Sequence, residues 1–421
     1  MKILMLFPYA PLPAPFDLGG TKRNLPFLLE LAKYHDISVL AYGTPEDEQL
    51  FRKSYGALCQ EVRFVNRKRP RIFGAAQMMW LLGTGRSSYR MLYRNAMQQA
   101  INQMVARERF DVIHCCVHMF GYFNFPPNIP VTSDTHEVKF DLLRRTAQNT
   151  PSRFRKIWLN LQWRFGRSEE FELCRKFDLL ITTTERDFHI FRRNLPHQSL
   201  AVVQNGAGNS FFEDLGFEAK QCVMVFTGLF THLPNSDGII YFLDHIFPKI
   251  RELESLARIY VVGKNPTQEM LARDSKNIFV TGFVEDVRPY IARGQVFVIP
   301  LLAGGGIRGK ALEAMAMKRP IVTTTIGVEG IDLRHEHSAL FADKPDAFAK
   351  AVVRLFRDAK LRERLAGNAF ATVQRSYNWE AKGRELEGLL RSVVEARAHK
   401  TRRSLSQAVR LAPRAVLEST I

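Results

Sequence analysis

The sequence predicts an α/β protein with two doubly wound domains, each built on a parallel sheet. Short apolar runs alternate with helical patterns along the chain, and this alternation starts afresh in the second half. A length of 421 residues also suits two domains better than one. Hydrophobic residues make up 46% and charged residues 24%, so each domain can bury a core and a disordered chain is excluded.

The first half supplies one set of alternating elements. Strands are predicted at 2–7, 36–41, 110–115, 129–133, 179–182 and 201–203, and the first helix is predicted at 24–33. The loop Asn205-Gly206-Ala207-Gly208-Asn209 ends this set, so we place the first domain at 1–212.

The second half repeats the pattern more clearly. Six strands are predicted at 222–227, 258–262, 277–281, 295–300, 320–323 and 339–341, with helices between them. We therefore place the second domain at 213–377. A helix at about 379–394 is expected to complete the first domain, and the basic tail 395–421 is expected to be either disordered or a weak amphipathic helix.

The balance of charge is basic. Sixty Lys and Arg stand against 42 Asp and Glu, and the net charge of +18 predicts an anionic partner. The stretches 62–107 and 144–167 contain sixteen basic residues and no acidic one, interleaved with Trp80, Trp158 and Trp163. This pattern suits an anionic membrane surface, although a solvated basic face over core aromatics explains it equally well. Nucleic acid is not expected, because no nucleic-acid-binding signature accompanies the charge.

The chain is predicted to be cytoplasmic and peripheral at the inner face of the cytoplasmic membrane. Five cysteines without CxxC spacing indicate a reducing compartment. The apolar start at 3–7 is interrupted at Pro8, which favours a buried strand over a signal peptide. No apolar run approaches the roughly 20 residues of a spanning helix, so any membrane contact is expected to be superficial.

Two glycine-rich loops follow predicted strands, where ligands of parallel sheets bind. Gly19-Gly20-Thr21-Lys22-Arg23 opens a helix, but neither a GxGxxG nor a P-loop pattern is present. The second loop, 303–310, runs from a strand through three glycines to a helix start with Arg308 and Lys310. Backbone amides, the helix dipole and two cations converge there, which suits a diphosphate. Glu313 lies one turn further on and could accept hydrogen bonds from sugar hydroxyls.

Three further observations on the sequence argue against a metal ion or a cofactor. His114-Cys115-Cys116-Val117-His118 has metal-ligand types but no second cluster, so a structural role is favoured over zinc. His335-Glu336-His337 is predicted as a solvated loop. No Asp-x-Asp occurs in the sequence, so the usual carboxylate clamp for a metal–nucleotide complex is missing.

Several segments, in order along the chain, share one resemblance. They are Gly19-Gly20 with Arg23, Asp134-Thr135-His136-Glu137, Asn205-Gly206, Phe226-Thr227-Gly228, Leu233-Pro234-Asn235, Val261-Val262-Gly263-Lys264, Val280-Thr281-Gly282-Phe283, Gly305 to Ala316, and Val328-Glu329-Gly330. Together they resemble family 4 glycosyltransferases, retaining enzymes of the GT-B fold. The resemblance extends to about Val394, and its block from Gly305 to Ala316 is the most specific part. It implies two Rossmann-like domains facing across a cleft, the first binding the acceptor and the second the donor.

The resemblance assigns roles to individual residues. The residues with catalytic roles are Arg308, Lys310 and His136. The residues expected to bind the donor are Gly304, Gly305, Gly306, Ile307, Glu313, Gly228 and Lys264. Other positions in the cleft are Gly19, Gly20, Arg23, Asn205 and Gly206. This chain departs from the family pattern at Gly305, which stands where the first glutamate of Glu-x7-Glu is usual. The identity of the transferred sugar is therefore left open. The Gly-Gly-Ile-Arg-x-Lys loop resembles transferases associated with bacterial exopolysaccharide assembly.

The resemblance implies transfer of a sugar from a nucleoside-diphosphate sugar to a saccharide acceptor, which we expect to be lipid-linked. Retention would follow from a front-face step assisted by the leaving phosphate. Two alternatives stay open at this point. A sugar-nucleotide epimerase of GT-B fold would use the same phosphate site, and a catalytically silent, membrane-associated scaffold of polysaccharide assembly would keep nucleotide binding only.

Overall fold

The computed structural model describes residues 1–13, 21–66, 95–150 and 152–411. Two parallel sheets, each flanked by helices, confirm the predicted α/β class with two doubly wound domains. The last strand of the first sheet ends at Val202, and the first strand of the second sheet begins at Lys220.

The first sheet has seven strands in the order β3-β2-β1-β4-β5-β6-β7, all parallel. The strands are β1 Lys2–Phe7, β2 Asp36–Tyr42, β3 Glu61–Val65, β4 Val112–Cys115, β5 Val131–Thr135, β6 Leu179–Thr182 and β7 Leu200–Val202. The helices are α1 Thr21–Leu31, α2 Pro45–Tyr55, α3 Asn95–Arg107, α4 Lys139–Asn149, α5 Arg153–Cys174 and α6 Glu185–Asn194. Helix α1 begins three residues before the predicted start.

The second sheet has six parallel strands in the order β10-β9-β8-β11-β12-β13. The strands are β8 Lys220–Thr227, β9 Arg258–Val262, β10 Ile278–Gly282, β11 Gly294–Ile299, β12 Ile321–Thr323 and β13 Leu340–Phe341. The helices are α7 Leu233–Tyr241, α8 Phe247–Leu253, α9 Gln268–Leu271, α10 Arg288–Arg293, α11 Gly309–Ala316, α12 Pro345–Arg357 and α13 Ala359–Ser376.

Strand β1 shows why continuous apolar runs form the centre of these sheets. Its side chains alternate between the two faces, and helices cover both faces. Leu4 and Leu6 join the core on one side, whereas Ile3, Met5 and Phe7 join the core on the other. All five are fully buried, so the run needs no polar face.

The last described helix, α14 Trp379–Leu411, packs against α1 of the first domain. The Trp379 ring lies 5.1 Å from the Phe27 ring in an edge-to-face contact, and Leu386 and Leu390 are buried in the same core. The sequence predicts a helix over about 379–394 and leaves the tail open as disordered or weakly helical; in the structure the helix continues to Leu411. Residues 395–411 contain neither Gly nor Pro, and the next helix breaker is Pro413.

Each sheet has one point where the order of strands reverses direction. It lies between β1 and β4 in the first sheet and between β8 and β11 in the second. Ligands of open parallel sheets bind at such switch points, beyond the carboxyl ends of the strands. The loops after β8 and β11 are therefore the first place to look for a site. Separately, none of the helices in the described ranges is long and apolar enough to cross a bilayer.

Candidate active site

The glycine-rich loop after β11 contacts the first domain directly. Gly306 has a φ of +64°, and a Cβ built there would lie 2.1 Å from the carbonyl oxygen of His136. A Cβ built on Gly305 would lie 3.1 Å from the Cβ of Glu137. A side chain at 306 would require the first domain to move, and at 305 it would crowd Glu137. These glycines therefore allow the loop to meet the carboxyl end of β5 across the cleft.

Lys310 occupies the second sheet's switch point, in the first turn of α11. Its ammonium donates to Asn235 Oδ1 at 2.8 Å and lies 3.8 Å from the centroid of the Phe226 ring. Gly228, at the end of β8, is close enough that a Cβ there would lie 3.3 Å from Lys310 Nζ. Burial lowers the pKa of Lys310 to about 7, and the charges of Lys22 and Arg308 add to the effect. The arrangement is a partly buried ammonium at a helix N-terminus, which suits an anion.

Arg308 is turned towards its own loop. Its guanidinium donates to the carbonyl oxygens of Gly306 and of Ile326, the latter at 2.8 Å, and it lies 3.8 Å from the Glu329 carboxylate. Burial lowers the pKa of Arg308 to about 10, against the opposing charge of Glu329. Within the described residues its buried Nε has no partner. The main contacts of Arg308 therefore hold the loop in its conformation, and its Nε–H remains available to a ligand.

Glu313 is paired across the cleft. The ammonium of Lys22, near the start of α1, binds the Glu313 carboxylate at the second domain's α11. Glu313 is buried, so this contact brings a first-domain cation beside Lys310. Lys22 belongs to the first glycine-rich loop, but the sequence pattern favoured Arg23 as the functional residue there.

His136 follows β5, and its ring contacts α1 of the first domain. Its Nε2 lies 3.1 Å from Asn24 Oδ1, and burial lowers its pKa to about 4 although Asp134 opposes the shift. At neutral pH the imidazole is therefore uncharged and can donate or accept one hydrogen bond per nitrogen.

Arg23, Asn205 and Gly206 form a structural junction inside the first domain. Arg23 makes two bonds to the Asp134 carboxylate, at 2.9 and 2.8 Å, and a third to Asn205 Oδ1 at 2.8 Å. Gly206 packs so closely on Trp379 that a Cβ would lie 2.6 Å from the ring. The Arg23 guanidinium is thus engaged by protein groups, and its contribution to a site is to hold these loops in place.

The remaining predicted donor residues are spread along the rim of the second sheet. The Gly304 carbonyl accepts from Arg145 at 2.7 Å, and the Ile307 side chain belongs to the second domain's core. The Lys264 ammonium lies 5.1 Å from the half-exposed Phe283 ring at the neighbouring strand end. Gly19 and Gly20 lie outside the described residues.

An ion-pair network joins the domains beside the glycine loop. Arg145 of α4 binds Glu329 at 2.8 Å, and Arg186 of α6 binds the other oxygen of the same carboxylate at 3.4 Å. Further along, Arg155 pairs with Asp237 at 3.2 Å. Sequence reasoning missed these partners, since only tertiary structure brings the two domains' charges together.

The histidine–cysteine cluster serves the first domain's core. His114 Nδ1 lies 2.9 Å from Thr132 Oγ1, Cys115 and Cys116 are fully buried, and His118 lies 3.3 Å from Glu170. Across the described ranges no group of three His, Cys, Asp or Glu side chains is placed to hold a metal ion.

Binding at the Lys310 site should take up a proton. Because burial lowers the Lys310 pKa to about 7, its charge is present below that pH and is lost above it. A bound diphosphate stabilises the ammonium, so affinity should fall as the pH rises from 7 to 9, by up to about tenfold per unit. Calorimetry with a sugar nucleotide at pH 8, in buffers of different ionisation enthalpy, measures the uptake. Lys310→Arg should abolish it; unchanged uptake in that variant would assign the proton elsewhere.

Relatives and solved structures agree with this architecture. Residues 221–358 match the family model described as glycosyl transferases group 1. An uncharacterized 44.6 kDa protein in the cps region of Klebsiella pneumoniae is 25% identical over 171 residues, 38% of this chain and 44% of the relative. An uncharacterized glycosyltransferase of Methanocaldococcus jannaschii is 25% identical over 250 residues, 53% of this chain and 62% of the relative. The matches thus span about half the length of these relatives.

Structural similarity extends over nearly the whole chain. The sucrose-phosphate synthase of Thermosynechococcus elongatus superimposes with a TM-score of 0.68 at 16% identity, covering 94% of this chain and 100% of that one. At this identity the likeness establishes the fold. The chain therefore has the GT-B fold, and its second domain carries the sequence pattern of the glycosyl transferases group 1.

Proposed function

We propose that the protein is a retaining, family 4 glycosyltransferase that moves a sugar from a nucleoside-diphosphate sugar to a saccharide acceptor. The observation that carries the proposal is the partly buried Lys310 ammonium at the N-terminus of α11, at the switch point of the second sheet. The match of residues 221–358 to glycosyl transferases group 1 supports the same reading. The domain at 1–212, completed by the start of α14, would bind the acceptor, and the domain at 213–377 would bind the donor.

The proposed chemistry needs positive charge where the leaving group becomes negative. Lys310, the loop amides after Gly304 and the Nε of Arg308 would stabilise the departing diphosphate, and Lys22 would add charge from the opposite domain. Contact of Gly306 with His136 would close the cleft and exclude water, which limits hydrolysis of the donor. Neutral His136 would contact the transferred sugar as a hydrogen-bonding group.

The place of this reaction is proposed to be bacterial exopolysaccharide or cell-surface glycan synthesis, on a lipid-linked acceptor. The relative named for the cps region supports this assignment. The test is incubation with a panel of radiolabelled sugar nucleotides and a lipid extract. Lipid-linked label is the expected result, whereas interconversion of the nucleotides would indicate an epimerase, and binding without either would indicate a scaffold.

Activity is expected to survive EDTA. Fixed cations at the start of α11 can balance the charge of the diphosphate, as a divalent ion does in other transferases. The measurement is transfer rate before and after chelation and dialysis. Complete loss of activity, restored by manganese, would contradict the prediction.

We further propose that the first domain docks on an anionic membrane surface. Part of the first basic stretch, 67–94 with Trp80, lies outside the described residues. In the second stretch, Trp163 packs against the core, while Phe154 and Ile157 are 88% and 58% exposed. Exposed Arg153 and Lys156 flank them at the start of α5. Apolar side chains between cations are typical of a helix that lies at a bilayer surface.

Liposome co-sedimentation tests the docking. Binding should be stronger to anionic than to neutral vesicles and should weaken with salt, since each cation near an acidic surface adds up to about 1 kcal/mol. Two variants should lose binding to anionic vesicles. One has Arg67, Lys68, Arg69 and Arg71 changed to Glu, and the other has Phe154→Ser and Ile157→Ser. Arg334→Glu, an exposed cation of the second domain, is the control. Equal binding to both vesicle types would contradict the docking and mean that the basic stretches form an ordinary solvated face.

A further inference from the structure

The side chain of Glu137 lies in the cleft, in the space left by a glycine of the opposite domain. Glu137 comes two residues after the end of β5. A Cβ built on Gly305 would lie 3.1 Å from its Cβ and 3.8 Å from its Oε2. A larger residue at 305 would compete for the space that this carboxylate occupies. A side chain at 305 would therefore crowd Glu137 where this first-domain residue meets the donor loop.

The Glu137 carboxylate is ionised, and only one of its two oxygens is bound by a protein group. Burial alone would raise its pKa, but Lys139 and His232 outweigh that effect, and the pKa lies below its usual value. Lys139 binds Oε1 at 3.2 Å. Among the described residues, Oε2 has no hydrogen-bond partner, so one acceptor atom of a charged group faces the cleft unused.

The surrounding charges restrict what this oxygen can bind. His232, at the start of α7, interacts electrostatically with Glu137 and with Lys310, and Arg308 also interacts with the Glu137 charge, so the carboxylate lies beside the proposed diphosphate site. A carboxylate repels a diphosphate and attracts neutral hydrogen-bond donors. In a nucleoside-diphosphate sugar, neutral hydroxyl donors flank the diphosphate on both sides, in the ribose and in the transferred sugar, and only those of the transferred sugar are missing from the free nucleoside diphosphate.

We propose that Glu137 recognises hydroxyl groups of the transferred sugar, and that Gly305 is a glycine because this carboxylate comes from the first domain. The inference rests on the proposed function. It makes sugar recognition depend on closure, because the carboxylate and the diphosphate site belong to different domains. A donor whose sugar lacks the bonded hydroxyl would bind the phosphate site but leave Oε2 unsatisfied.

The test compares binding of a sugar nucleotide and of its free nucleoside diphosphate. The probes are UDP-glucose and UDP, or GDP-mannose and GDP if the panel selects guanine. Glu137→Ala should weaken sugar-nucleotide binding about 10- to 100-fold, the range for a hydrogen bond to a charged group. Binding of the free diphosphate should change less than about twofold or become tighter, since a like charge is removed. Glu172→Gln, an exposed carboxylate on α5, is the control.

Two further measurements separate recognition from a structural role. With deoxy analogues of the sugar, the wild type should discriminate against one position, and Glu137→Ala should lose that discrimination. The double variant Glu137→Gly with Gly305→Glu moves the carboxylate to the other side of the contact and should recover activity that Gly305→Glu alone loses. Equal weakening of both probes, or retained discrimination, would overturn the inference. A wild type that binds no sugar nucleotide of the panel better than inorganic phosphate would instead reject the proposed function, and the inference with it.

Discussion

Lys310→Ala should lower kcat by about 10²- to 10³-fold. Its ammonium lies partly buried beside Phe226 and Asn235, and its charge is most useful when the leaving diphosphate is most negative. Loss of one such preorganised contact raises the barrier by about 3 to 4 kcal/mol. The measurement is steady-state transfer with the donor that the panel identifies.

The comparison with neighbouring cations makes this prediction specific. Lys276→Ala removes an exposed lysine of the same domain and should leave kcat unchanged. Arg308→Ala should lower both kcat and the melting temperature, since the guanidinium also holds the carbonyls of Gly306 and Ile326. A Lys310→Ala enzyme with nearly normal kcat would mean that the diphosphate binds elsewhere.

Asp134→Ala should destabilise the first domain by about 3 to 5 kcal/mol. The substitution leaves the Arg23 guanidinium, which is 2% exposed, without its bidentate partner in the protein interior. For a domain of this size the melting temperature should fall by roughly 6 to 20 °C. Chemical denaturation monitored by circular dichroism gives the free energy of unfolding.

A double variant separates the orphaned charge from the loss of packing. Arg23→Met with Asp134→Leu removes both charges and keeps apolar volume, so it should be less destabilised than Asp134→Ala. Asp332→Ala, which removes an exposed and weakly paired carboxylate, should change stability by less than about 0.5 kcal/mol. A single variant as stable as the wild type would show that Arg23 finds solvent or another partner.

The fold was predictable because its signals are local. The run 222–227 is largely apolar, contains β-branched residues and is followed by a glycine, and it becomes most of the inner strand β8. Boundaries were less certain, because they depend on capping and on tertiary contacts. The last helix passes residue 394 since nothing in the sequence stops it before Pro413, and its first turns are held by Phe27 rather than by propensity.

The site was predictable only in part. The loop from Gly304 to Lys310 carries a strong local pattern, and the structure places Lys310 at the switch point. The contacts of Lys22 with Glu313 and of Glu137 with Gly305 cross the cleft, so no spacing within one segment reveals them. Arg23 is a case in which the sequence suggested a role that its contacts do not show. The two glycines near it suggested a contact with a ligand, whereas its partners in the structure are Asp134 and Asn205.

Glycosyl transfer from a nucleoside-diphosphate sugar fixes the stoichiometry of a single reaction, and this stoichiometry can be measured. The wild-type protein is incubated with one doubly labelled sugar nucleotide and acceptor extract, and both labels are followed over time. We expect one free nucleoside diphosphate to be released for each sugar that appears on the acceptor, with both signals reduced together in Lys310→Ala. Release of nucleotide without labelled acceptor, or no consumption of any sugar nucleotide in the panel, would contradict it.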